Sequence, residues 1–148
     1  MRVRTLAALA VAVALLSAAV AAQRKPDFSG KWQIDLARSK GGTGLASRDL
    51  VIVITQDATT MKIEQSGMPT IVYRLDGTPA RNPRPGRGGE ATYTSVWEAD
   101  RLVTTVTGGQ PGQKESRYME RDEMVDAATL HSAIGPTFAR KLYWKKIG

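Results

Sequence analysis

From Pro26 onward, apolar and polar residues alternate with a period of two, in runs of five to eight residues separated by turn formers. Side chains alternate faces along a strand and return to one face every 3.6 residues along a helix, so this spacing predicts an antiparallel β-protein. The expected strands are 30–36, 50–55, 60–65, 70–75, 90–97, 102–107, 114–121, 125–132 and 139–146, which leave no room for a long helix. Turn formers such as Gln56-Asp57-Ala58-Thr59, Ser66-Gly67-Met68-Pro69 and Glu98-Ala99-Asp100-Arg101 sit between successive runs and imply a meander of sequential hairpins. Two connections are longer. One spans 37–49 with Gly41-Gly42-Thr43-Gly44, and the other spans 77–89 with three prolines and three arginines, a composition that reads as loop throughout.

The segment before this pattern follows different rules. Arg2 and Arg4 precede an apolar stretch from Leu6 to Leu16 and then the small residues Ser17 to Ala22. A charged start, an apolar middle and a small-residue end make a secretory signal, and the apolar part is shorter than the roughly twenty residues of a transmembrane helix. Cleavage is expected after Ala22. The expected mature domain, 23–148, is then 126 of the 148 residues, enough for one core and too few for two domains. Export to the periplasm or the medium makes nucleic acid an improbable partner, even with Arg84-Pro85-Gly86-Arg87-Gly88-Gly89 resembling an arginine-glycine segment.

The chain has no cysteine, so neither disulfides nor a cysteine-linked lipid anchor enters the account. A single histidine, His131, rules out a zinc site of the usual composition within one chain and leaves a serine-histidine-acid triad dependent on that residue alone. A hydrogen-bonded strand histidine is the simpler reading. Glu120, Asp122 and Glu123 read as solvated charges at a turn. No catalytic residue, metal site or cofactor is expected. The formal charge of +7 falls to +5 with Arg2 and Arg4 gone, and it favours loose association with anionic surfaces.

The alternation also assigns faces. Ile71, Tyr73 and Leu75 fall together, as do Tyr93 and Trp97, and Leu102, Thr104 and Val106. Threonine and serine beside aromatics suit a closed barrel around a partly wet interior better than a dry sandwich. Tyr73, Tyr93, Trp97 and Tyr118, with Met61 as adaptable filler, are the candidate ligand contacts. They make either the wall of an apolar pocket with polar tips or the filling of a small barrel.

The mature start, Pro26-Asp27-Phe28-Ser29-Gly30-Lys31-Trp32, with Ser39-Lys40 behind it, resembles small exported lipocalin-like proteins of soil bacteria. The likeness continues through Tyr73-Arg74-Leu75-Asp76-Gly77, Trp97 to Val103 and Lys141-Leu142-Tyr143-Trp144. It implies a single up-and-down β-barrel of roughly eight to ten strands. By the wider calycin pattern, it also implies that Gly30 and Trp32 on the first strand meet a cation on the last, Arg140 or Lys141, which packs over the indole and closes the barrel. The function expected on these grounds is non-catalytic binding of a small, largely apolar ligand. The alternative is a filled barrel that contacts an anionic envelope component through Arg81, Arg84 and Arg87.

Overall fold

A computed structural model describes residues 24–41, 49–84, 88–108, 113–131 and 135–148. The expected signal segment 1–22 and its cleavage point lie outside the described residues. Ten strands follow one another: β1 Gly30–Ile34, β2 Val51–Gln56, β3 Thr60–Gln65, β4 Ile71–Arg74, β5 Ala80–Pro83, β6 Glu90–Glu98, β7 Arg101–Thr107, β8 Gln113–Glu120, β9 Glu123–Leu130 and β10 Phe138–Lys146. Each pairs antiparallel with its neighbours in the order β4-β3-β2-β1-β10-β9-β8-β7-β6-β5. First and last strands meet in the middle of that order, so the sheet rolls into a nearly closed up-and-down barrel.

The alternation placed nine strands and missed β5, which lies inside the segment read as loop. Proline cannot donate to a ladder and is tolerated at a strand end or on an edge. Pro83 is the last residue of β5, a strand that among the described residues pairs only with β6. The other edge strand, β4, lies across a seam from it. Asn82, buried, crosses that seam: its Oδ1 accepts from Val72 N at 2.8 Å and its Nδ2 donates to Val72 O at 2.8 Å. One carboxamide thus replaces a rung of the missing ladder.

The Gly-x-Trp and Ser-Lys signatures have local causes. Gly30 takes φ +134°, and a Cβ there would stand 2.5 Å from Lys146 Cε, whose chain crosses toward the Trp32 ring. The backbone conformation is what favours glycine here, since the flexible end of Lys146 can move aside. After Ile34 the strand loops out, and Asp35 N still donates to Tyr143 O at 2.7 Å. The Ser39 hydroxyl then fills the gap, accepting from Tyr143 N at 3.0 Å and donating to Asp35 O at 2.7 Å. Lys40 resumes the ladder opposite Lys141.

Candidate ligand-binding site

One barrel end is plugged. The irregular segment 24–29 enters beneath it and puts Phe28, fully buried, against Trp97 with ring centroids 6.1 Å apart and nearly parallel. Trp32 Nε1 donates to Phe28 O at 2.8 Å. The Gln56 side chain holds the segment at both ends, accepting from Phe28 N and donating to Pro26 O. Trp32, Ile54, Met61, Leu102 and Met124 complete a dry floor. Burial of that many large side chains is the main stabilising contribution of the fold, at about 1.5–3 kcal/mol each.

Above the floor the interior changes character. The hairpin registers set Glu115, Arg117 and Met119 of β8 on the same face as Met124, Asp126 and Ala128 of β9 and Arg140, Leu142 and Trp144 of β10. All of these face inward with the core. Arg117 Nε donates to Asp126 Oδ1 at 2.6 Å, Arg140 stands 3.5 Å from Glu115, and the Ser95 and Thr104 hydroxyls meet at 2.8 Å. Two cations against two carboxylates leave this inner wall without net charge. Tyr73 of β4 and Tyr93 of β6 face it from the two sides of the seam, edge to face at 5.6 Å, with the Arg117 guanidinium 5.4 Å from the Tyr73 ring centre.

Accessibility separates an open chamber from the filled floor. Inward-facing Ile63, Ile71 and Tyr93 are only half-buried, and Glu115 and Arg140 keep 19% and 25% of their side chains accessible. Burial nonetheless raises the pKa of Glu115, against the opposing pull of Arg140. A carboxylate enclosed by protein and still reached by solvent is what an internal chamber produces. Deeper in, burial works against the charge of Arg117, but Asp126 and Tyr73 outweigh it and hold the guanidinium firmly ionised. Burial also raises the Tyr73 hydroxyl well above its ordinary range, so it remains a neutral donor. Arg140 Nε and Trp144 Nε1 are buried without a hydrogen-bond partner. The chamber therefore offers apolar walls, a few fixed polar groups and one unpaired donor, Arg140 Nε.

The candidates named from the sequence divide between these regions. Tyr73 and Tyr93 share the chamber. Met61 and Trp97 belong to the floor, Met61 fully buried with its sulfur 3.8 Å from Arg117 Nη1. Tyr118 stands outside: it shares its face with Val125 and carries the Arg101 guanidinium 3.9 Å above its ring. The cation at Trp32 also needs correcting. It is Lys146, opposite Trp32 in the ladder and 5.5 Å from the ring centre. Arg140 points inward to Glu115, and Lys141 lies over Tyr143 on the outer wall at 4.9 Å. In the basic loop, Arg81 stands 3.5 Å from Glu90, Arg84 N donates to Gly89 O, and Arg87 lies outside the described residues. His131 is exposed, with Thr137 Oγ1 at 3.4 Å. Among the described residues no cluster of histidine, cysteine or carboxylate side chains is arranged to hold a metal.

The inward charges Glu115, Arg117, Asp126 and Arg140 were missed, yet a signal for one pair existed. A two-residue turn at Arg121-Asp122 sets Arg117 opposite Asp126, opposite charges at one rung.

The fold is shared with several solved antiparallel β-barrels. It is similar to zebrafish ileal bile acid-binding protein solved with cholic acid, at TM-score 0.65 and 18% identity over 81% of this chain and 98% of that one. It is likewise similar to the REP1-NXSQ fatty acid transporter (0.63, 14%, 81% and 96%) and to Echinococcus granulosus fatty-acid-binding protein 1 (0.62, 13%, 82% and 98%). No protein-family model matches the chain, and no curated protein matches it in sequence.

Proposed function

We propose that this protein is an exported carrier that binds a small, largely apolar molecule in the upper chamber and does not transform it. The observation that carries this reading is the accessibility of inward-facing Tyr93, Glu115 and Arg140 above a floor that is fully closed. The apolar body of the ligand lies along Ile63, Ile71 and the Tyr73–Tyr93 pair. Its polar end takes up donors from Arg117 and Arg140. Because the inner charges already balance, a group with hydrogen-bond acceptors suits the site whether or not it carries full charge. Similar barrels whose names record bile acid and fatty acids support the ligand class, and their description as binding proteins and transporters supports a non-enzymatic role. Export rests on the composition of residues 1–22.

Native mass spectrometry with lauric acid as the probe tests the site. Ala128 faces inward between Glu115 and Arg140, so Ala128→Trp fills the chamber at the level of those groups. The parent should take up one lauric acid, and Tyr118→Ala, altered on the outer wall, should do the same. Ala128→Trp, with its fold verified by circular dichroism, should lose it. Uptake undiminished in Ala128→Trp would overturn the assignment.

A further inference from the structure

The two ion pairs of the inner wall are not equivalent. Arg117 Nε lies 2.6 Å from Asp126 Oδ1, and the two side chains are 9% and 14% accessible. Arg140 Nη2 lies 3.5 Å from Glu115 Oε1, those side chains are 25% and 19% accessible, and Arg140 Nε is buried with no partner at all. Arg140 is therefore the looser of the two cations, with a donor still free for an incoming acceptor. Glu115 has one other polar partner, Gln113 Nε2 on its own strand, which donates to the same oxygen. The remaining groups around it are weak or cancel. Ala128 of β9 and Thr104 of β7 stand opposite Glu115 in the ladders, and Tyr93 of β6 and Tyr73 of β4 bring phenols from across the chamber. Arg84, beyond β5, acts on Tyr93. Arg117 and Asp126 act on Glu115 with opposite signs, so Arg140 is the main group that offsets burial and keeps this carboxyl ionised.

We propose, resting on the chamber as the binding site, that Glu115 is the proton acceptor of ligand binding: a carboxylate-headed ligand takes Arg140 from Glu115, and Glu115 takes up one proton from solvent. The charge balance leads to this exchange. Glu115, Arg117, Asp126 and Arg140 sum to zero, so an anionic head leaves one negative charge in excess inside a protein wall, where an unpaired charge is costly. Protonation of the displaced carboxyl removes it, and the accessible part of Glu115 lets the proton arrive from water. A ligand whose head is an uncharged acceptor leaves the Arg140–Glu115 pair intact and binds without a proton. The chamber thus discriminates by pH: carboxylic acids load as the pH falls, and neutral-headed molecules of the same length load alike at every pH.

Titration calorimetry of the full chain with two probes of one tail length, decanoic acid and 1-decanol, tests the proposal. Each titration is run in two buffers of unlike ionisation heat, which counts the protons exchanged, from mildly acidic pH, where decanoic acid is already largely ionised, to mildly alkaline pH. Decanoic acid should bring close to one proton into the complex at the maximum, with affinity falling about tenfold per pH unit through that window. 1-Decanol should bring none, and its affinity should stay level. Glu115→Gln should still bind decanoic acid, with proton uptake abolished and the pH profile flattened. The comparison of the two probes in the parent stands even if that variant fails to fold. Equal proton uptake with both probes, binding of both with none, or full uptake in a folded Glu115→Gln would overturn this inference alone. Binding of neither probe would remove the chamber reading on which it rests.

Discussion

The two ends of this barrel are built by opposite rules. At the plugged end Phe28, Trp32, Met61 and Met124 leave at most 1% of their surface accessible, and the polar atoms there are backbone groups or side chains tied to them. At the other end inward positions carry Glu115, Arg117, Asp126 and Arg140, and solvent reaches several of them. The difference divides stability and binding along one axis. A floor packed at interior density tolerates few changes. A chamber whose walls are already half-hydrated can exchange water for a ligand at little cost to the fold.

The sharpest test of that division is to truncate one aromatic at each end. Trp32→Ala should cost about 3–5 kcal/mol, because it opens a cavity in a closed core and removes the hydrogen bond to Phe28 O. Tyr93→Ala, from a half-buried ring, should cost about 1–2 kcal/mol and alter lauric acid uptake instead. Equal losses in urea unfolding would break the comparison. Asn82→Ala should cost about 2 kcal/mol despite lying in the upper half, since it strands Val72 N–H and C=O at the seam. Exchange of the Val72 amide hydrogen, faster in the variant than in the parent, identifies the seam as the cause.

The smallest effect is in pH. Asp57 sits at a plugged-end turn, where the Thr59 and Thr60 amides and hydroxyls hold its carboxyl well below the usual carboxylate range. Asp76 is lowered likewise by Thr78. Their contribution is complete above about pH 4 and is lost as the pH falls below it. Glu115 shifts the other way. Raised by burial, it binds its proton more tightly in the folded state, so stability declines as pH climbs from its ordinary 4.5 through the raised value. Glu115→Gln should remove that decline and leave the acid limb intact. A decline that persists in the variant would assign it to another group.

Nine strands were legible because hydrophobic alternation survives wherever one face meets the core. The tenth was not, since Ala80-Arg81-Asn82-Pro83 turns only a methyl and an amide inward. The inner wall was harder to read for a related reason. Along β8 alone, Glu115 and Arg117 look like the solvent face and Tyr118 like the core, and the structure reverses them. What makes the reversal possible is partners on adjoining strands, Arg140 for Glu115 and Asp126 for Arg117, and a single run does not display its neighbours. The same holds for Trp32: the cation is set by ladder register, which selects Lys146, six residues beyond Arg140. Tyr73 and Tyr93 were readable because period-two spacing alone places them.

Methyl NMR during a lauric acid titration tests the division between chamber and floor most directly. The Ile63, Ile71, Ala91 and Ala128 methyls, inward-facing on the upper half, should shift as the ligand saturates, while those of Ile54, Met61, Leu102 and Met124 stay in place. Shifts centred on the floor, or on Ala127 and Ala139 of the outer wall, would contradict the account.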